Sequence, residues 1–348
     1  MLKAASFILS CTIILLASPQ MLRAGAITVW GDDTYGQVSN APAGTGYTAI
    51  AAGTSTGYAL DADGSISAWG SDDQLQVSST PTGTGYTAIA SNPFASFALA
   101  ADGSIAAWEF DNFLLISDAP TGTGYTAIAA GYYSAYSLAA DGSIAAWGYD
   151  GSGEVSNAPT GTGFTAIAAG QETAYALAAD GSIFAWGADG QGQVSDAPTG
   201  TGFTAIAASS FAAFALDASG TIFAWGGDGA GLVSNAPTGT GFTAIAGTWE
   251  TAFALDASGS IFAWGLDNYG LISNAPTGMG YTALAGGVAG TFVLALGEDA
   301  PVNPVPEPGS IALILSFVAC CAANRFMPTL VSHRLTGSKN GTRSRHAD

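Results

Sequence analysis

Tryptophan stands at positions 30, 69, 108, 147, 186, 225 and 264, and every step is 39 residues. Only Trp249 falls off the series. The same register is kept from Pro42 to Pro276 and from Leu60 to Leu294, and no insertion interrupts it. A fixed period of about 40 residues marks propellers or solenoids, in which one supersecondary unit buries its faces only against its neighbours.

One unit decides between helical and strand repeats. Residues 47–52 and 57–61 are short apolar runs flanked by glycine. Asp63 and Gly64 then supply a hairpin turn, since glycine tolerates the positive φ such turns need. Residues 65–69 form a third strand and residues 76–78 a short fourth one before Pro81. Four strands per period is the pattern of a propeller blade. Ile183, Phe184, Ala185 and Trp186 are apolar on both faces, as a strand sandwiched between blades requires. Burying each tryptophan contributes about 4 kcal/mol.

The array opens with a third strand, residues 27–30, and finishes with a first and a second, residues 281–285 and 291–296. The expected fold is therefore all-β. It is a closed seven-bladed β-propeller of four-stranded blades over residues 27–297, its seventh blade completed by the N- and C-terminal strands. Joining the termini in one sheet removes the exposed edge of an open array. Short hydrophobic helices are expected at both chain ends, and the propeller is expected to be monomeric.

The unit containing Ile167, Ala168, Ala169, Gly170, Tyr175, Leu177, Asp180, Gly181, Ser182, Ile183, Trp186 and Gly187 resembles the repeats of the regulator of chromosome condensation family. The resemblance spans about residues 27–296. Period and spacing look closer to the short bacterial repeats, such as those of propeller-type β-lactamase inhibitor proteins. It implies a propeller and a tendency to bind proteins, and it does not carry over exchange-factor activity.

The chain ends read as addresses. Lys3, an apolar run over residues 4–17, and the small residues Ala24, Gly25 and Ala26 make residues 1–26 a secretory signal peptide, cut after Ala26. A proline-rich linker, residues 298–309, leads to a hydrophobic sorting segment, residues 310–325, and a polar tail, residues 326–348. Pro306, Glu307 and Pro308, the apolar run and Arg325 resemble a PEP-CTERM sorting signal, which implies a bacterial exported protein held transiently at the membrane before processing. The chain is thus expected at the cell surface or outside the cell, with a transient inner-membrane anchor.

Charge removes several functions. No Lys or Arg lies between Ile27 and Gly309, while 25 of the 26 acids do, all but Asp348. Such a surface repels phosphate backbones, so no nucleic-acid partner is expected. Both His and all three Cys also lie outside this stretch. Histidine bases, cysteine or lysine nucleophiles, arginine clamps and histidine-rich metal sites are thereby excluded from it. No catalytic residue is assigned and no enzyme is expected. Six Glu leave a carboxylate-dependent, glycan-active enzyme as a third option behind two others.

Asp33, Asp72, Asp111, Asp150, Asp189, Asp228 and Asp267 each follow a tryptophan by three residues. They read either as a carboxylate ring for Ca²⁺ or a cationic partner, or as caps on backbone N–H groups two residues on. Capping is the favoured reading, and no cofactor is assigned.

Variation within the repeat points to a site. The Asp-Gly turns and the Pro-Thr-Gly-Thr links emerge on one side and barely change. On the other side, one set of loops carries Phe94, Tyr132, Tyr133, Phe211 and Trp249, and the other carries Tyr35, Phe113, Tyr149 and Tyr269. Aromatics near a common axis make rigid anchors for a protein surface or for sugar rings. The expected function is a module binding a protein or polysaccharide at the cell surface or in the extracellular matrix. The alternative is a structural matrix protein without a specific ligand.

Overall fold

The computed structural model describes residues 25–298. Most of the signal peptide, the linker and sorting segment with Pro306, Glu307, Pro308 and Arg325, and both expected end helices lie outside the described residues. Ala26 lies inside them, in the first strand.

Strand β1 is Gly25–Gly31. Six three-strand units follow. The first contains β2 (Tyr47–Ala52), β3 (Thr56–Asp61) and β4 (Ile66–Gly70); the second, β5 (Tyr86–Ser91), β6 (Ala95–Ala100) and β7 (Ile105–Glu109). The third contains β8 (Tyr125–Ala130), β9 (Ser134–Ala139) and β10 (Ile144–Gly148), and the fourth β11 (Phe164–Ala169), β12 (Thr173–Ala178) and β13 (Ile183–Gly187). The fifth contains β14 (Phe203–Ala208), β15 (Ala212–Asp217) and β16 (Ile222–Gly226), and the sixth β17 (Phe242–Gly247), β18 (Thr251–Asp256) and β19 (Ile261–Gly265). Strands β20 (Tyr281–Gly286) and β21 (Phe292–Glu298) end the described chain.

Within each unit the strands are antiparallel and consecutive. The first and last described strands meet: β21 pairs with β20 on one side and with β1 on the other, Val29 opposite Leu294. First strands of successive units lie against one another, and β20 lies against β2.

The expected fourth strand is absent from the described units. After β4, Asp72 Oδ1 accepts the Val77 and Ser78 N–H groups, while Ser79 N–H donates to Leu75 and Thr80 N–H to Val77. These amides are consumed locally, so none is left to extend the ladder. The other units repeat this, and the blades are three-stranded. The Asp63-Gly64 hairpin is also longer than two residues. Residues 62–65 separate β3 from β4, with Gly64 at φ +77°.

The repeating tryptophans are core, 4–6% exposed. Each indole also donates into the preceding unit: Trp69 to the Gln37 carbonyl at 2.8 Å, Trp186 to Glu154 at 2.8 Å, Trp264 to Leu232 at 2.9 Å. Trp30 makes the corresponding bond to Leu271 at 2.9 Å. Six of the seven rings, all but Trp69, further meet an aromatic of a neighbouring unit's middle strand edge-on, as Trp186 meets Tyr136 at 5.6 Å and Trp30 meets Phe253 at 5.8 Å. Third strands are less enclosed than their two apolar faces suggest. Phe184 is 44% exposed because β13 is an outer strand, and its ring leans edge-on against Phe164 at 5.2 Å.

Candidate functional site

Backbone hydrogen bonds sort the loops into two faces. The Asp-Gly turns join the links to the next unit, Gly85 N–H donating to Asp63 and Gly124 N–H to Asp102. On the opposite face the loop between the first two strands of a unit joins the segment after its third strand. Tyr149 N–H donates to Tyr133, and Ala188 N–H to Glu172.

The seven Asp residues after the tryptophans are turn caps, with a longer reach than two residues. Each Oδ1 accepts N–H groups five and six positions on, as Asp189 does from Val194 and Ser195 at 2.9 Å each. These bonds favour the charged form and hold the seven carboxyls below their usual range. Among the described residues no three His, Cys, Asp or Glu side chains converge as a metal site needs.

Seven of the nine aromatics singled out in the sequence form one continuous cluster. Phe94 is stacked on Tyr133 at 6.0 Å and meets Phe113 at 5.3 Å and Tyr132 at 5.6 Å. Tyr133 also meets Phe113 at 5.0 Å and Tyr149 at 5.7 Å. Tyr132 then reaches Trp249 at 5.9 Å, and Trp249 reaches Phe211 at 5.7 Å. Units distant in sequence thus share one aromatic ridge. Its outer members Phe113 and Tyr149 are exposed, while Phe94, Tyr132, Tyr133, Phe211 and Trp249 are half-buried. Tyr35 and Tyr269 are exposed and stack on none of these rings; Tyr35 instead lines a cavity beside the ridge.

That cavity, about 280 Å³, is bordered by Tyr35, Phe94 and Tyr132 and floored by polar groups from the units containing β3 and β6. One of its lining residues, Glu109, is not among the site residues singled out from the sequence. At the end of the third strand Gly31, Gly70, Gly148, Gly187, Gly226 and Gly265 all have φ between +95° and +118°, whereas the second unit places Glu109 there at φ +94°. Glu109 turns inward. Its Oε1 accepts from Ser96 and from the Tyr58 hydroxyl, the latter at 2.9 Å, and its Oε2 takes part in neither bond. Burial raises its carboxyl to about 7, against the pull of those two hydrogen bonds. Ser96 Oγ also meets Ser91 Oγ at 2.9 Å. Serine at 91 and 96, asparagine at 92 and glutamate at 109 are departures from the repeat, mostly Ala or Gly elsewhere. That shared departure was the available signal.

Residues 164–193 match the model of the regulator of chromosome condensation (RCC1) repeat. Among solved structures, human WBSCR16 is similar at 15% identity and TM-score 0.63, covering 80% of this chain and all of that one. Yeast RCC1 (Prp20), crystallised with Kap60, is similar at 16% identity and TM-score 0.65, covering 86% of this chain and 94% of that one. A second structure of Prp20p from Saccharomyces cerevisiae, described with its binding to Gsp1p and histones, gives 16% identity and TM-score 0.61, covering 85% and 97%. The chain carries RCC1-like propeller repeats. These likenesses fix the all-β repeat architecture, and identities this low carry nothing about a partner. No curated protein matches the chain.

Proposed function

We propose that this chain is an exported, non-catalytic binding module at the cell surface or in the extracellular matrix. Its seven blades form a closed ring, and the variable loop face takes a protein or polysaccharide partner. The pairing of β1 with β21, the Trp30 to Leu271 bond and the approach of β20 to β2 support the closed ring. Prp20p, which shares the fold, is described with its binding to Gsp1p and histones, so a propeller of this kind can serve as a protein-binding scaffold. Export and transient anchoring rest on the two terminal signals in the sequence.

The observation that carries the binding role is the aromatic ridge. Rings from six loops converge on one face, most of them half-buried and braced against each other, so they offer contact area with little side-chain entropy left to lose. Binding interfaces concentrate their energy on such aromatic anchors. Replacing Tyr132, Tyr133, Phe211 and Trp249 together with serine, with the fold verified by circular dichroism, is expected to reduce retention on native envelope or matrix at least tenfold. Unchanged retention refutes the role of this face.

A further inference from the structure

The cavity beside the ridge holds a set of unused hydrogen-bonding groups. Asn92 is 3% exposed; its Oδ1 accepts the Phe94 and Ala95 N–H groups, both at 2.8 Å, and its Nδ2 has no partner. Thr54 Oγ1 is likewise buried and unpartnered. Both residues line the cavity with Glu109, whose Oε2 is left over by the bonds that Ser96 and Tyr58 give to Oε1. Buried donors without acceptors are rare in folded proteins and point to a missing partner.

Glu109 is also costly to the fold. At the equivalent glycines an added Cβ would press on a backbone carbonyl of the preceding loop, 2.4 Å from Ser55 O at Gly70 and 2.7 Å from Tyr133 O at Gly148. In the other units the residue after that glycine donates its N–H to the same carbonyl, as Ser71 does to Ser55 and Tyr149 to Tyr133. The corresponding bond from Phe110 to Phe94 is missing. Positive φ in a non-glycine residue, a lost backbone bond and a buried carboxyl thus coincide at one position, and such concentrated strain is typical of binding sites.

The chemistry of the free groups selects the ligand. An anion would face a carboxyl in a chain of net charge −19. Asp73 and Glu109 both line the cavity, but among the described residues no three carboxylates converge to hold a metal ion, and an organic cation would leave the Asn92 N–H donors unused. A neutral molecule with adjacent hydroxyls satisfies donor and acceptor together, and its C–H surface suits aromatic walls. The volume lies just under the roughly 300–1,000 Å³ of pockets for drug-sized ligands, which suits one ring.

We propose that this cavity binds a single neutral sugar ring, with Glu109 Oε2 accepting from one hydroxyl, Asn92 Nδ2 donating to another, and Phe94, Tyr132 and Tyr35 bordering the ring. This deepens the binding role proposed above and rests on it for the accessibility of the loop face.

The test is titration of the full chain with glucose, galactose and mannose separately, by calorimetry and saturation-transfer NMR, for the wild type, Glu109→Gly and Asn92→Asp. Glu109→Gly restores the residue of the other units and is expected to melt at or above the wild-type temperature, so that loss of binding is not loss of fold. Asn92→Asp keeps the Oδ1 cap and removes the donor. Saturable binding of at least one hexose, weakened tenfold or more in both variants, supports the site. The proposal is overturned if no hexose binds, if Glu109→Gly leaves affinity within twofold, or if methylammonium binds the cavity in place of sugar. Partner retention assayed in Phe211→Ser/Trp249→Ser separates the two ideas. Lost retention without hexose binding removes the cavity site alone, and hexose binding beside unchanged retention removes the ridge role alone.

Discussion

The turn face and the loop face are built on the same strands, yet they use their polar groups in opposite ways. On the turn face each carboxylate is committed to its neighbours: Asp102, Asp141 and Asp180 accept both the N–H and the hydroxyl of the serine two residues on. On the loop face, Asn92 Nδ2 and Thr54 Oγ1 are buried without partners, Glu109 Oε2 is left over by the two bonds to Oε1, and aromatics replace small residues. A repeat that satisfies itself locally has no need to vary. A face that leaves groups unsatisfied is prepared for something else.

The strongest way to break this contrast is to remove what the faces share. Trp186→Ala deletes a 4% exposed indole and its bond to Glu154, and is expected to cost about 3–5 kcal/mol in denaturant unfolding. If only one face loosens in hydrogen exchange, the two are less coupled than a common core implies.

A smaller effect follows from Glu109. Its carboxyl is raised to about 7 in the folded chain from 4.5, so the folded state holds the extra proton between those values. Stability should therefore fall as pH rises from about 4.5 to about 7, by about 3 kcal/mol at most. The Asp caps act in the opposite sense. Their lowered values contribute stability above 3.8 that is lost as pH falls through the folded values. Comparing thermal melts at pH 5 and pH 8, the wild type should be the more stable at pH 5, and Glu109→Gln should lose most of that difference, with Glu154, also raised by burial, keeping a remainder. An unaltered difference would show that Glu109 is not the group responsible.

The smallest effect is local. Asp189→Ala should speed amide exchange at Val194 and Ser195 while leaving the aromatic ridge unchanged, as read by NMR. Changes spreading to Tyr132 or Trp249 would show that the capped turns and the aromatic ridge are coupled.

The unit architecture was legible because period, turn glycines and strand lengths are local properties. The supposed fourth strand shows the limit of such reading: Gln76, Val77 and Ser78 have strand-like composition, but the Asp72 carboxylate five residues before Val77 captures the amides first. The aromatics were legible one by one, whereas their continuity was not, because Tyr132 meets Trp249 only through the path of the intervening units. Glu109 was visible merely as one acid among many.

The sequence by itself determined that the chain builds repeated all-β units, that tryptophan is their core, and that one face varies. Those features follow from periodicity and side-chain chemistry, which act over a few residues at a time. Tertiary structure alone decided which variable residues meet, that the terminal strands pair, and that Ser96, Asn92 and Glu109 surround one cavity. Such contacts depend on the angle and spacing between successive sheets, a property that no single repeat contains.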